Sequence, residues 1–213
     1  VLLFDGDLGL ANIDIQLGLM PEKDLGSLAA GRNTLEEIVM TYPDGGFDII
    51  AGRSGCGSLA SISKERLSLL EEDLKRISRK YDVLIVDLGA GVGGIVKSLS
   101  NIAQQCYVVV TDEPTSLTDA YAFLKVTHMA HAQLPLHVVI NQAEGLQAGE
   151  RVYESLKRVC ENFLRYTPGY AGSVRRDAHV KDAIRNQASL LMRHGSCDAA
   201  QDVKNIAKKY VKG

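Results

Sequence analysis

Four short apolar runs constrain this chain more than any other feature of its sequence: residues 1–4, 83–86, 107–111 and 136–140. Each is rich in β-branched residues and lacks apolar/polar alternation. A strand that buries both faces needs such a run, so the four read as strands of a parallel sheet. A fifth candidate, residues 47–51, is weaker and is closed by Gly52. Between the runs lie helical patterns. Leu67, Leu70, Leu74 and Ile77 recur at helical spacing among charged residues. Val152, Leu156, Val159 and Phe163 mark a second helix, and Val203, Ile206, Ala207, Tyr210 and Val211 a last one. Ser116 with Asp119, ahead of a helix over 120–129, has the spacing of a capping box, as does Thr34 with Glu37. Alternation of strand and helix predicts an α/β fold, a mostly parallel sheet with helices on both faces, in a single domain spanning residues 1–213.

Composition fits that architecture. The chain has 213 residues, 46% of them hydrophobic and 23% charged, enough for a sizeable core and too apolar for disorder. A net charge of −2 gives no global attraction to nucleic acid, and none is expected as a partner. No apolar run approaches the ~18 residues of a membrane span. Cys56, Cys106, Cys160 and Cys197 are far apart and form no CxxC pair, so their spacing argues against a metal or redox motif and for scattered buried thiols.

In open parallel sheets, ligands bind beyond the carboxyl ends of the strands. The residues just after the apolar runs are Asp5-Gly6-Asp7, Asp87-Leu88-Gly89-Ala90-Gly91, Asp112-Glu113-Pro114 and Asn141. Carboxylates follow three of the four runs. Converging on one edge, they suit a cation, a phosphate–magnesium group or acid–base chemistry.

Three readings compete for these residues. Gly89, Gly91 and Gly94 match GxGxxG after a strand, as in Rossmann-type dinucleotide-binding proteins, and Asp112 lies near the distance of a ribose-binding acid. Against this, Asp87 would face the pyrophosphate with like charge. Residues 1–7 also resemble the first motif of haloacid-dehalogenase-type phosphatases, with Asp5 as nucleophile and Asp7 as general acid. Leu8-Gly9-Leu10 departs from that motif, and no later acidic pair beside a lysine completes a magnesium site.

The third reading uses all four sites. Asp5-Gly-Asp7-Leu-Gly-Leu-Ala-Asn12-Ile-Asp14 resembles the switch I segment of MinD/ParA ATPases, and Tyr81 through Gly91 resembles their Walker B strand and switch II. Val108 through Tyr121 resembles the following strand and helix start in MinD and in the flagellar FlhG branch. Val138-Val-Ile-Asn141 resembles the strand whose terminal Asn reads adenine. The resemblance runs from Val1 to about Arg185 and favours MinD and FlhG over plasmid-partition ParA.

It implies a P-loop NTPase fold and an ATP-dependent homodimer that hydrolyses ATP with Mg2+, a protein activator of hydrolysis, and a role in positioning or numbering flagella. Asp87 would hold magnesium with support from Asp5, and Asp7 would orient the attacking water. Gly89 and Gly91 would let backbone approach the γ-phosphate, Asn141 would bond adenine, and Asn12 would lie at switch I or the dimer contact. Arg175, counted with Asn141, Gly89 and Gly91 among the nucleotide-binding residues, stands where the family commonly has a proline in the loop packed on the base. The family's glycine-rich, lysine-bearing phosphate loop is absent from the sequence. It is expected about 30 residues upstream, by the size of a βαβ unit. The chain begins inside a strand-like run and reads as a fragment, inactive by itself and missing a central strand. The alternative is a relative without the phosphate loop that acts through protein contacts. The family implies a cytoplasmic protein that meets the membrane peripherally through a C-terminal amphipathic helix. Here Lys204, Lys208, Lys209 and Lys212 flank an apolar stripe. The stripe lacks Phe, Trp and Leu, which favours a helix that closes the domain over one that binds lipid.

Overall fold

The computed structural model describes residues 1–52 and 62–210. Cys56, Val211 and Lys212 therefore lie outside the described residues. The chain divides into two compact units. One comprises Val1–Ile102 with Ile184–Met192; the other comprises Ala103–Ala183 and the chain from Arg193.

The first unit runs β1 (Leu2–Asp5), α1 (Ile13–Leu17), α2 (Leu25–Ala29), a 3-10 turn (Glu36–Ile38), β2 (Met40–Tyr42), β3 (Phe47–Ile50), α3 (Lys64–Ser78), β4 (Leu84–Asp87) and α4 (Gly94–Ser100). Its sheet has the order β2-β3-β1-β4. β1 pairs parallel to both β3 and β4, and β2 pairs antiparallel to β3. The unbroken run of β1 has a simple cause. Leu2 and Phe4 point into a core built with Leu67, Leu70, Leu74 and Ile77 of α3. Leu3 packs on the opposite face against a cluster of Ile13, Tyr42, Ile49 and Ala51. A strand lined on both faces has no position for a polar residue until it leaves the sheet.

The second unit runs β5 (Cys106–Val110), α5 (Pro114–Ala130), β6 (Leu136–Ala143), α6 (Leu146–Leu164), β7 (Gly169–Arg175) and most of α7 (Ala178–Arg185), and ends with α9 (Asp198–Tyr210); the short α8 (Leu190–Arg193) lies almost wholly in the first unit. β5, β6 and β7 form a parallel sheet in that order. Its core joins Val108, Val110, Val138 and Ile140 to Leu124 of α5 and to Tyr153, Leu156 and Cys160 of α6.

Every one of the five expected strands is present, in an α/β fold of mostly parallel pairings. Burial on both faces holds for β1 but not for β4 or β5. Ile85 of β4 is 50% exposed and Val109 of β5 is 61% exposed. Each of these strands ends its sheet, and among the described residues only the inward-facing side chains of each join a core cluster.

Helix boundaries also moved. α5 starts at Pro114, whose fixed φ and missing N–H suit the first helical turn. Ser116 does not cap it; its hydroxyl accepts the N–H of Thr111 instead. At Thr34 only half of the expected box forms: Thr34 N–H donates to Glu37, and a 3-10 turn follows instead of an α-helix. α6 buries Gly149, Tyr153, Leu156 and Cys160, leaving Val159 and Phe163 exposed. Gly149 sets this rotation. A Cβ there would lie 2.0 Å from Ser173 Oγ, so only glycine lets α6 approach β7 so closely.

The C-terminal helix packs. Ala199 and Ala200 of α9 are fully buried, a Cβ on Gly172 would come within 2.9 Å of Ile206, and Lys209 Nζ donates to the carbonyl of Ala171. Up to Tyr210, then, α9 lies against β7, which is the packing role the sequence favours. Among the described residues no helix is long and apolar enough to cross a membrane.

Candidate functional site

Asp5 and Asp87 end adjacent parallel strands and are direct register partners. Two carboxylates are thereby held side by side at the carboxyl edge of the sheet. Gly6 extends the pairing, donating its N–H to the carbonyl of Asp87 at 2.7 Å.

Asp5 is buried, with 1% of its surface exposed. Its Oδ2 accepts the backbone N–H groups of Asn12 and Ile13, each at 3.2 Å. Those are donors at the start of α1, so Asp5 caps that helix from seven residues away, where Asn12, at the capping position, makes no side-chain cap. Burial pushes the Asp5 carboxyl up, the N–H of Ile13 draws it back, and the charge of Asp87 pushes it up again. Asp87 has an open side, yet desolvation by the surrounding chain raises it too, with a further push from Asp7. The three carboxylates are thus electrostatically linked in series. Mutual repulsion of that kind is what a divalent cation relieves, and the donor set, all oxygen, suits magnesium.

Asp7 leads into a cleft of about 660 Å³ lined by residues 6–9, by Lys64 and Ser68 of α3, by Gly89 and Ala90, and by residues 93–96. Its Oδ1 accepts the N–H of Leu10 at 3.0 Å, which fixes the turn it sits on. Gly89 lies directly beneath: a Cβ there would meet the Asp7 carboxylate at 2.9 Å. Gly91 adopts φ 104, a conformation few residues other than glycine hold. The sequence therefore placed Asp5, Asp7, Asp87, Gly89 and Gly91 in one constellation, and the first unit brings all five to the same sheet edge.

Asn12 is exposed, and its Oδ1 accepts from Gln16 at 2.6 Å. Asn141 belongs to the second unit. Pairing of β6 with β5 ends at Ile140, and its register with β7 shifts between Ile140 and Ala143, where Gln142 has φ 56. The Asn141 carboxamide oxygen accepts the N–H of Gln142 at 2.9 Å. The strand runs on to Ala143, so Asn141 sits at an irregularity near its end instead of at the last residue.

Arg175 is engaged within the second unit. Its guanidinium is forked onto Asp202 of α9, Nε to Oδ2 at 2.8 Å and Nη2 to Oδ1 at 2.9 Å, and Nη1 reaches Asp198 at 3.0 Å. Its donors lock β7 to α9. The acids that hold it lie more than twenty residues away in sequence, and no local pattern links them.

The geometry separates the rival readings. In a dinucleotide fold the strand after the glycines pairs beside the first one. Here β4 pairs with β1, whereas β5, which precedes Asp112, pairs with β6 in the other unit. A phosphatase nucleophile at Asp5 would need exposure, and that carboxylate is buried beneath two N–H groups.

No family model matches the chain. It is 35% identical over 209 residues to the antiactivator FleN of Pseudomonas aeruginosa, covering 98% of this chain and 74% of FleN. With the flagellum site-determining protein YlxH of Helicobacter pylori it shares 29% over 189 residues, or 88% of this chain and 63% of YlxH, so it spans less than two thirds of that relative. In three dimensions it resembles the septum site-determining protein MinD of Pyrococcus horikoshii, solved with Mg-ADP, at a TM-score of 0.80 and 19% identity over 99% of this chain and 83% of that one. With its near-complete match to FleN and a MinD fold around paired strand-end carboxylates, the chain belongs to the MinD/ParA family, in its FleN/FlhG-like branch.

Proposed function

We propose that this chain forms the switch-bearing part of an ATP-dependent dimerising ATPase that regulates flagellar number or placement. The observation that carries this reading is the in-register pair Asp5 and Asp87, with Asp7 pressed against Gly89 beside it. The relatives' names, an antiactivator and a flagellum site-determining protein, supply the flagellar context.

In this reading Asp87 would hold Mg2+, with Asp5 in support. The cation would neutralise phosphate charge when bound. Asp7 accepts a hydrogen bond from the attacking water and orients it, which suits phosphoryl transfer, a reaction governed by positioning and electrostatics. The backbone at Gly89 and Gly91 has room to approach the γ-phosphate. Asn141 offers a donor and an acceptor to the adenine edge. Asn12, exposed at the start of α1, belongs to the contact with the second copy. The reading also requires a glycine-rich phosphate loop and a partner that activates hydrolysis.

The test is the mass of the full-length protein in solution with Mg-ADP and with Mg-ATP, by light scattering. A monomer with ADP that doubles in mass with ATP, and hydrolyses it, supports the reading. An unchanged mass in both nucleotides removes the switch, leaving a relative that works through protein contacts alone.

A second expectation concerns Asp5 in the absence of Mg2+. Its carboxyl is raised above the ordinary 3.8. A raised carboxyl favours the fold below that pH and loses its contribution as pH rises through the folded-state value. Asp5→Asn keeps an oxygen for the N–H groups of Asn12 and Ile13 but carries no charge. Its melting temperature without metal should therefore match or exceed that of the unaltered protein at pH 7. The gap should close toward pH 4, and Mg-nucleotide affinity should fall. A lower melting temperature than the parent at pH 7 would show that the charge itself holds the fold.

A further inference from the structure

Just beyond Arg175, the second unit gathers a carboxylate, an imidazole and a thiol. Asp177 precedes α7, His179 sits in its first turn, and Cys197 immediately precedes α9. One ligand atom from each lies within 4.8 Å of the others. Asp177 Oδ1 is 2.7 Å from His179 Nδ1 and also accepts the His179 N–H at 2.9 Å, while Oδ2 accepts the N–H of Ala199 at 3.3 Å. Cys197 Sγ lies within 4.8 Å of that carboxylate. His194 leans on His179 with ring centroids 4.5 Å apart, its Nε2 held by Asp182 Oδ2 at 2.6 Å.

Capping alone accounts for part of this: the Asp177 carboxylate serves the first turns of two helices. It does not account for a thiol and an imidazole reaching the same carboxylate from different elements. Zinc bonds of about 2.0–2.3 Å to oxygen, nitrogen and sulfur place tetrahedral ligands about 3.3–3.8 Å apart, within reach of this spacing by small side-chain movements. The mixed set of imidazole, thiolate and carboxylate selects a borderline-soft cation, not magnesium. The structure leads us to propose that Asp177, His179 and Cys197 form a site for a zinc-class divalent cation, bracing the loop after β7 to the start of α9 and keeping a fourth position open. Binding deprotonates the Cys197 thiol, and the proton passes to solvent. The backbone N–H groups at the start of α9 stabilise the resulting thiolate.

The site is independent of the ATPase reading and is tested without nucleotide. Metal-stripped full-length protein is titrated with Co2+ while the thiolate-to-cobalt charge-transfer band and the tetrahedral d–d bands are recorded. One equivalent should bind, excess Mg2+ should leave it in place, and Zn2+ should displace it. Cys197→Ser should abolish the charge-transfer band. His179→Ala, at an exposed ring, should weaken binding beyond the ~10–100-fold typical of losing a group that merely supports a ligand. Cys106→Ser should change nothing. His179→Ala also carries the test should Cys197→Ser fail to fold. The proposal is overturned if the parent protein gives no thiolate band, if the band survives Cys197→Ser, or if His179→Ala binds as tightly as the parent.

Discussion

Replacing Asp7 with alanine in the full-length protein should leave ATP-driven dimerisation intact and lower kcat by about 10²–10⁴-fold, the range supplied by a positioned general acid or base. Asp7 reaches the cleft, whereas Asp5 is buried and committed to α1 and Asp87 sits at the register position opposite it. On the proposed reading, removing Asp7 takes away the group that would face the attacking water without removing the pair proposed to hold Mg2+. It also leaves room above Gly89, so the switch backbone keeps its conformation. The measurement is single-turnover hydrolysis beside light scattering in Mg-ATP. Loss of turnover with a persistent dimer fits the assignment. Turnover at the parent rate would move the catalytic role elsewhere, and loss of both properties would make Asp7 a structural residue of the turn.

Arg175→Ala should destabilise the second unit and lower the melting temperature by several degrees. The cost arises at Asp202, whose side chain is 3% exposed and would keep only the backbone N–H of residue 175 once the guanidinium is gone. Asp202→Asn should be milder, since the freed guanidinium retains Asp198 and some solvent. Nucleotide affinity, measured below the melting transition, separates the two accounts of Arg175. A packing lock leaves affinity unchanged in the variant, and a base contact lowers it.

What the sequence made legible, and what it did not, follows from how local each determinant is. The five expected strands were visible because β-branched apolar runs are contiguous in sequence. β7 was not, since Gly169-Tyr-Ala-Gly-Ser-Val-Arg175 mixes glycine and polar residues, tolerated where α6 and α9 approach closely. β2 escaped notice as a three-residue antiparallel strand at the sheet edge. At the site, Asp5, Asp7 and Asp87 were readable from their places after strands. That Asp5 caps α1 was not, because its partners come from a loop whose path depends on the fold. Arg175–Asp202 and the meeting of Cys197 with His179 are likewise products of tertiary packing; cysteine spacing alone pointed away from a metal.

The capping of α1 by Asp5 has one further consequence. The same carboxylate that stands beside Asp87 also holds the N–H groups that begin the segment containing Asn12. A ligand that draws electron density from Asp5 would weaken its grip on those two donors, and a displacement of that segment would alter how Asp5 presents itself to a ligand. Occupancy at the strand ends and the posture of the neighbouring surface are then two readings of one free energy, and by linkage each must influence the other equally. A signal of that kind needs no long pathway; it crosses a single side chain.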